Sequence, residues 1–370
     1  MAIRLEDLKP TIQKVADLIE QTIEDHSLII IRHHADCDGY CGALVLEETI
    51  LPTIKNINTK PWKKYKRLPM KMPFYDYGDA LRDISLFQDS LEFNKKPLLI
   101  LIDNGCGEED LPSLKRLKLY NVNIIIIDHH IFSKETDKIV DIHLNPRVFG
   151  GAGDMTSGML AFEVASVIGS PNYIYPALSG IADKSRDEFL EPYIKLFPDK
   201  LFLKQLADCV DYEAYHLKFS ESNTIYDLFN ENQSKTMNII LPEIERRKKE
   251  YEEIIKKYLE EFSVGKIKVF KFDIENNVLF SEYPPPGKII GMAHTSKSGS
   301  RITFGIGKDL LVFRVDGLNF SLTNFFSHLR KTIPFGNISG GGHDFAGAIR
   351  FIPSVKNLVE EELFKFLKNI

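Results

Sequence analysis

The chain has 370 residues, of which 44% are hydrophobic and 27% are charged, which is the composition of a globular protein and predicts two domains. The formal net charge is −5, so any binding of nucleic acid would need a local basic surface or bound metal. The first residues are not apolar, and no apolar run reaches the roughly 18 residues of a membrane helix, so we expect a cytoplasmic protein without a membrane segment.

Three short apolar runs rich in β-branched residues predict buried strands in the first half of the chain. They lie at 28–31, 98–102 and 124–127. Helical patterns are found at 9–25, 42–50 and about 110–118, and again at 155–170, 172–183 and 199–219. Strands that alternate with helices predict an α/β fold with a doubly wound, mainly parallel sheet. We assign this domain to residues 1–220.

The second half of the chain begins with a highly charged segment at 242–262 that carries a narrow apolar stripe. This pattern predicts a solvated connecting helix rather than a coiled coil, and we assign 221–264 to a helical linker. The pattern then changes to β, and residues 265–370 are predicted to form a smaller α+β domain. Its predicted strands are 266–274, 278–282, 289–294, 301–305, 310–315 and 349–352, with a helix at 321–331.

Acidic and imidazole side chains follow each of the three predicted strands of the first domain. They are His34, Asp36 and Asp38, then Asp103, then Asp128, His129 and His130. In an open α/β sheet the ligand crevice lies outside the carboxyl ends of the strands, so these side chains should meet. Each motif alone also fits a surface turn. Together they predict a metal site, because carboxylates held this close repel one another unless cations are bound.

The motifs, in this order, resemble those of the DHH phosphoesterase family. The first family motif stands as His34-Ala35-Asp36-Cys37-Asp38-Gly39, and the second is Asp103 after its apolar strand. The third, which gives the family its name, is Asp128-His129-His130. A Gly-x-x-Asp after a helix stands as Gly180-Ile181-Ala182-Asp183, with Asp187 as a nearby competitor. The Gly-Gly-Gly-His motif of the DHH-associated second domain is Gly340-Gly341-Gly342-His343.

The resemblance implies a centre of two divalent metal ions, with manganese preferred and magnesium or cobalt as alternatives. It implies that Asp103 bridges the two ions and that His34 and Asp36 bind one of them. The other ion would be bound by Asp38, His129 and Asp183. Two such ions activate a water molecule and stabilise the leaving oxygen in an in-line displacement at phosphorus.

The resemblance also implies two contacts with substrate phosphates. His130 would contact the scissile phosphate. Gly340, Gly341, Gly342 and His343 would bind a neighbouring phosphate, since the backbone N–H groups of a glycine-rich loop can approach a phosphate closely where no Cβ intervenes.

Within the family, the resemblance favours a RecJ-like exonuclease that degrades single-stranded DNA, RNA or both to nucleoside monophosphates in DNA replication or repair. His33-His34 before the first motif and the stretch 208–219 are similar to the archaeal RecJ-like group, which includes GINS-associated and Hef-associated nucleases. Such an enzyme is expected to have a replication or repair protein as partner. The alternatives are a nanoRNase or cyclic-dinucleotide phosphodiesterase that takes very short substrates, and a non-catalytic replication scaffold, which the complete set of ligands disfavours.

Two groups of residues are candidates for contacts with nucleic acid. A basic aromatic segment holds the only tryptophan and is predicted to stack on bases and follow phosphates. Its residues are Trp62, Lys63, Lys64, Lys66 and Arg67. In the second domain, Arg301 and Arg314 on predicted strands are candidates for binding phosphate. For both groups the alternative is an ordinary solvated surface.

Overall fold

The computed structural model describes residues 4–70, 72, 74–218, 222–343 and 345–368. The chain forms two compact units, the first ending at Asn238 and the second beginning at Ile239. In the part of the chain that is described, no helix is both long enough and apolar enough to cross a membrane.

The first unit is built on a five-stranded sheet in which every strand pair is parallel. Its spatial order is β2-β1-β3-β4-β5. The strands are β1 (Ile29–His33), β2 (Tyr65–Pro69), β3 (Leu98–Ile102), β4 (Asn123–Ile127) and β5 (Ile142–Leu144). All residues of β1 and β3 are buried, which is the pattern of strands covered on both faces.

Helices cover both faces of this sheet. They are α1 (Leu5–Glu24), α2 (Cys37–Ile57), α3 (Tyr77–Glu92), α4 (Leu111–Lys118), α5 (Lys134–Ile139), α6 (Ser157–Ile168), α7 (Ile174–Ala182), α8 (Asp187–Ile194) and α9 (Lys200–Leu217). On one face, Leu99 and Leu101 of β3 pack in one cluster with Phe87 of α3 and Leu114 of α4. On the other face α2 lies so close to β3 that only a glycine fits at its point of approach, Gly42 against Ile102. The predicted doubly wound parallel sheet is confirmed.

The helix α10 (Gln233–Tyr258) crosses from the first unit into the second. The second unit has a six-stranded sheet of order β10-β11-β9-β8-β7-β6, in which only the β7–β8 pair is parallel. Its strands are β6 (Glu260–Val264), β7 (Ile267–Asp273), β8 (Arg301–Ile306), β9 (Leu310–Asp316), β10 (Ser339–His343) and β11 (Ala346–Arg350). Its helices are α11 (Ile274–Asn277), α12 (Pro286–Thr295), α13 (Leu322–Thr332) and α14 (Lys356–Leu367).

Two predicted strands of the second unit are wrong. Residues 278–282 form no strand, and 289–294 lie within α12. Ile289, Ile290 and Ala293 are buried together, which is the spacing of one helix face. Pro286 occupies the first turn, where a missing backbone N–H costs nothing. Residues 260–264, counted with the linker in the prediction, form the edge strand β6.

Candidate metal centre

The three central strands of the first sheet end level with one another. His33 of β1 pairs with Ile102 of β3, and Ile102 pairs with Ile127 of β4. The predicted acidic and imidazole residues therefore leave the sheet side by side. Asp103 turns away from β3 with a φ of 59°, a left-handed conformation that aspartate tolerates better than most residues.

The first group of candidate ligands lies at the end of β1. His34 Nδ1 is 2.8 Å from Asp36 Oδ2 and 3.2 Å from Asp103 Oδ2. The Asp103 side chain is buried, whereas those of His34 and Asp36 are about one third exposed. This group offers two carboxylates and one imidazole at a site that substrate can reach.

The second group surrounds His129. Its Nε2 atom is 3.2 Å from Asp183 Oδ2, 3.5 Å from Asp103 Oδ1 and 3.7 Å from Asp38 Oδ2. Asp183 follows the last residue of α7, which brings it to this edge of the sheet. Asp103 thus faces the first group with one carboxylate oxygen and the second group with the other.

The protonation of His129 shows what this arrangement requires. Its Nδ1 lies 2.9 Å from the carbonyl oxygen of Gly153, which can only accept a hydrogen bond, so Nδ1 carries the proton. The lone pair of Nε2 then faces the oxygens of three carboxylates, and these electron-rich atoms repel one another. The arrangement becomes favourable when Nε2 carries a second proton or when a cation lies between Nε2 and the carboxylates. Imidazole and carboxylate ligands together suit divalent transition metals. The residues present therefore fit a divalent metal centre.

The carboxylates differ in their protonation because their surroundings differ. Burial, followed by the nearby Asp103 and Asp183 carboxylates, raises the pKa of Asp38 well above its usual range. Burial also acts to raise the pKa of Asp103, but hydrogen bonds with His129 and His34 outweigh it and hold the pKa well below normal. The site is a concentration of buried negative charge that favours a bound cation.

Asp38 is held by donors that the sequence did not reveal. Its oxygens accept hydrogen bonds from the backbone N–H groups of Ser157 (3.0 Å) and Gly158 (2.7 Å) at the start of α6. The Ser179 hydroxyl of α7 donates to the same carboxylate at 2.6 Å. Ser157 Oγ also donates to Asp103, at 3.0 Å. A Cβ on Gly158 would lie 2.6 Å from the Ser179 side chain, so the packing requires glycine there.

Asp128 serves as an acceptor for its neighbours. Its Oδ1 accepts from the backbone N–H groups of His129 (2.7 Å) and His130 (3.2 Å) and lies 2.8 Å from His130 Nδ1. The Cys106 thiol donates to Oδ2 at 2.8 Å. These contacts fix the His130 ring with Nδ1 toward Asp128 and Nε2 turned away from it. Neither the Cys106 contact nor this role of Asp128 was predicted.

The basic aromatic segment lies at the other end of the sheet. Trp62 and Lys63 precede β2, at the amino ends of parallel strands whose carboxyl ends carry the candidate ligands. Lys64 donates to the carbonyl oxygen of His26, and Lys66 is half-buried within β2. Trp62 is exposed, but the structure does not bring this segment to the candidate centre.

Arg67, the last residue of that segment, is already used within the fold. Its Nε donates to Glu47 Oε2 of α2 at 2.6 Å, and both side chains are buried. The guanidinium also lies over the rings of Tyr40 and Tyr226. Breaking a buried ion pair is strongly destabilising, so Arg67 is not available to bind a ligand.

The two arginines of the second unit have different surroundings. Arg301 is buried, with its guanidinium 2.9 Å from Asp316 and bonded to the carbonyl oxygen of His294. Arg314 is half-buried and donates to the carbonyl oxygens of Phe313 and Gly287. Among the described residues no carboxylate pairs with Arg314, and burial lowers its pKa. The positive charge of Arg314 is therefore available to an anion, whereas that of Arg301 is already paired with Asp316.

The glycine motif forms the edge strand β10 rather than a loop. Gly340 and Gly342 have φ values of 151° and 136°, and a Cβ on either would collide with the backbone of β11. Gly341 has open space where its Cβ would be. The backbone of His343 pairs with that of Ala346. The side chain of His343 is not described, so the predicted contact between it and a phosphate lies outside the described part of the chain. Two of the three glycines are thus required by the hairpin, and only the middle one leaves space for a ligand.

A doubly wound sheet with a cluster of aspartate and histidine side chains at its carboxyl edge defines a protein with a divalent metal site in the usual ligand crevice of an α/β fold. Comparison with known proteins makes the assignment more specific. The family model for the DHH family, N-terminal domain, matches residues 27–181. A solved structure described as the DHH domain of a member of the s1p family of ribosomal proteins is 32% identical, with a TM-score of 0.89. That match covers 99% of this chain and 92% of the other. The chain belongs to the DHH family.

Two more proteins are similar to this chain, one in sequence and one in fold. An uncharacterized protein of Methanocaldococcus jannaschii, MJ1198, is 31% identical over 99% of this chain. The chain spans 55% of the length of that relative. The structure of RecJ from Thermus thermophilus in complex with Mn²⁺ matches 97% of this chain and 55% of its own, at 15% identity and a TM-score of 0.64. At this identity the similarity shows a shared fold.

Proposed function

We propose that this protein is a RecJ-like exonuclease that hydrolyses single-stranded DNA, RNA or both and releases nucleoside monophosphates. The observation that carries the proposal is the position of Asp103, whose two oxygens face two separate groups of ligands. One divalent ion would be held by His34, Asp36 and Asp103. The other would be held by Asp38, Asp103, His129 and Asp183. Manganese is the ion we propose, as the resemblance to the DHH family implies, and the carboxylates that dominate each group suit it.

Bound divalent ions would lower the pKa of a water molecule and neutralise charge that develops on the phosphate. The protein's own residues do the rest. Asp128 orients His130 so that its Nε2 can contact a non-bridging phosphate oxygen. Asp103, with one carboxylate oxygen toward each group, would be a ligand in both groups. In the second unit, Gly341, Arg314 and His343 are proposed to bind a neighbouring phosphate.

Two alternatives remain as outcomes of the same test. A phosphodiesterase for very short substrates would cleave dinucleotides in preference to longer strands. A non-catalytic scaffold would bind without cleaving, but a scaffold does not need six candidate ligands gathered at one edge of the sheet. Those ligands are His34, Asp36, Asp38, Asp103, His129 and Asp183.

The test compares Asp103→Asn with Asp187→Asn in the full chain. Asparagine tolerates the left-handed backbone of Asp103, so this variant removes charge without adding strain. Asp187 is exposed on α8 and belongs to neither group of ligands, which makes it the matched control. Labelled single-stranded 20-mers and dinucleotides are incubated with Mn²⁺, and the released mononucleotides are measured.

We expect Asp103→Asn to lower the cleavage rate by about 100-fold or more, because metal ions contribute several kcal/mol to transition-state stabilisation and each 1.4 kcal/mol is about tenfold. Asp187→Asn should match the wild type. Equal activity of Asp103→Asn and the wild type would contradict the metal assignment. Cleavage of dinucleotides alone would replace the exonuclease with the short-substrate enzyme, and absence of all cleavage by the folded wild type would favour the scaffold.

A further inference from the structure

The segment that follows β5 lies around His129, one of the candidate metal ligands. Leu144 of β5 pairs in parallel with Ile127 of β4, so the chain after β5 leaves the sheet at the same edge as the candidate ligands. The carbonyl oxygen of Gly153 lies 2.9 Å from His129 Nδ1, and Arg147 Nε donates to the carbonyl oxygen of His129 at 2.8 Å. Arg147 is therefore bonded directly to the backbone of a residue whose ring belongs to the candidate metal centre.

The backbone and guanidinium of Arg147 are held by contacts with this segment. Asn145 is buried, its Nδ2 donates to the carbonyl oxygen of His130 at 3.0 Å, and its Oδ1 accepts from the N–H of Arg147 at 2.9 Å. A Cβ on Gly153 would lie 2.4 Å from the carbonyl oxygen of His129 and 2.9 Å from Arg147 Nη2, so the guanidinium can pack here only against a glycine. The side chain is thus positioned before any ligand binds, which lowers the entropic cost of binding.

The charge of Arg147 is not paired within the fold. Among the described residues, no carboxylate pairs with Arg147, and its Nη nitrogens are neither buried nor hydrogen-bonded. Three other arginines of the first unit are paired with carboxylates at 2.6 Å: Arg32, Arg67 and Arg186. A guanidinium whose two Nη groups reach solvent presents the planar fork that binds the oxygens of a phosphate.

We propose that Arg147 binds a non-bridging oxygen of the substrate phosphate that is held at the metal centre. The proposal rests on the proposed function and adds to it a phosphate contact from a residue outside the family motifs. Divalent ions at the centre would repel a neighbouring guanidinium, and a phosphate that contacts both offsets this repulsion. Negative charge on the phosphate oxygens is stabilised by such a donor during hydrolysis, so the contact should assist cleavage as well as binding.

A glutamine at this position separates a phosphate contact from a purely structural role. Glutamine Nε2 takes the place of arginine Nε, so Arg147→Gln keeps a donor for the carbonyl oxygen of His129 and removes the charge and both Nη groups. Arg147→Lys does the reverse, because it keeps the charge and loses the Nε donor. The matched control is Arg116→Gln in the last turn of α4, a helix that carries no candidate ligand.

The experiment measures equilibrium binding to the full chain, so that it does not depend on cleavage. Calorimetry first gives the affinity of each variant for Mn²⁺. The Mn²⁺-loaded proteins are then titrated with inorganic phosphate and with thymidine 5′-monophosphate. Circular dichroism melts establish that each variant is folded, and cleavage of labelled single-stranded 20-mers is measured in parallel.

We expect Arg147→Gln to bind Mn²⁺ as wild type does and to bind both phosphate ligands about 10- to 150-fold more weakly, the range for a hydrogen bond between charged groups. Arg147→Lys should bind phosphate more tightly than Arg147→Gln, and Arg116→Gln should match wild type.

Two results would overturn the proposal. Unchanged phosphate affinity in Arg147→Gln would mean that Arg147 does not contact the phosphate. An equal loss of Mn²⁺ and phosphate affinity would mean that Arg147 acts only through His129. If the wild type binds phosphate through Arg147 but cleaves no 20-mer, the exonuclease proposal is refuted and the phosphate contact stands.

Discussion

The hydrogen bond from Ser179 to Asp38 allows the metal centre to be tested without touching a ligand. Asp38 accepts three hydrogen bonds, from Ser157 N–H, Gly158 N–H and the Ser179 hydroxyl, and the last is the shortest at 2.6 Å. Ser179→Ala removes this donor and leaves the two backbone donors in place. A hydrogen bond to a charged group contributes about 1.5–3 kcal/mol. At about 1.4 kcal/mol per tenfold change, we expect the variant to bind Mn²⁺ about 10- to 100-fold more weakly.

The assay is calorimetric titration of the metal-free protein with Mn²⁺. The matched control is Ser166→Ala on α6, whose hydroxyl donates to the carbonyl oxygen of Phe162 and, among the described residues, bonds to no candidate ligand. Both variants lose one serine hydroxyl, but only Ser179→Ala changes the surroundings of a carboxylate. If a folded Ser179→Ala protein binds Mn²⁺ as tightly as Ser166→Ala does, the geometry around Asp38 does not set the metal affinity and this reasoning is wrong.

Three further predictions follow from contacts outside the ligands. Gly342→Ala should disrupt the β10–β11 hairpin and lower the melting temperature, whereas Gly341→Ala should melt like wild type and weaken oligonucleotide binding. If the two variants melt at the same temperature, Gly342 is not required by the hairpin. Asp83→Ala removes the 2.6 Å partner of the buried Arg32 guanidinium of β1 and leaves it only Asp79, at 3.3 Å. The free energy of unfolding in urea titrations should fall by about 3 kcal/mol, the lower end of the range for a broken buried pair, and a loss under 1 kcal/mol would refute this. Cys106→Ala removes the thiol that donates to Asp128 and should lower kcat about tenfold or more without changing the melting temperature. Cys106→Ser keeps a donor at this position and should retain activity.

The part of the site that the sequence predicts well is the part that follows buried strands. Runs such as 98–102 and 124–127 are short, apolar and β-branched, and the acidic residues after them stand out because they end such runs. Their meeting at one edge needs only the rule for parallel sheets. The positions of Asp103 and His129 are therefore local features of the sequence combined with one general rule of topology.

The supporting donors could not be predicted in the same way. Ser157 and Gly158 stand at an ordinary helix start, and nothing nearby in the sequence links them to Asp38, from which they are separated by 119 and 120 residues. Ser179 lies in the middle of an apolar helix, where a serine is unremarkable. Only the packing of α6 and α7 against α2 turns these residues into hydrogen-bond donors for a carboxylate.

The basic aromatic segment shows a second limit. Its composition is typical of a nucleic-acid contact, but composition does not say at which end of a strand a segment lies. The edge strand β2 was not predicted, because its residues Lys66 and Arg67 interrupt the apolar pattern. Once β2 is placed parallel to β1, Trp62 falls at the amino end and the ligands at the carboxyl end. The same edge strand brings Arg67 to Glu47, a pairing that no sequence pattern indicates.

The order of the strands explains why one aspartate can serve two groups of ligands. β3 lies between β1 and β4, so the residue that follows β3 has His34 and Asp36, which follow β1, on one side and His129, which follows β4, on the other. Asp103 uses this position, with Oδ2 toward His34 and Oδ1 toward His129. If β1 and β4 were neighbours, no single carboxylate from β3 would lie between the two groups. The capacity for a two-ion centre therefore depends on the crossover that inserts β3 between β1 and β4, and the left-handed turn at Asp103 then points its carboxylate into the space between them.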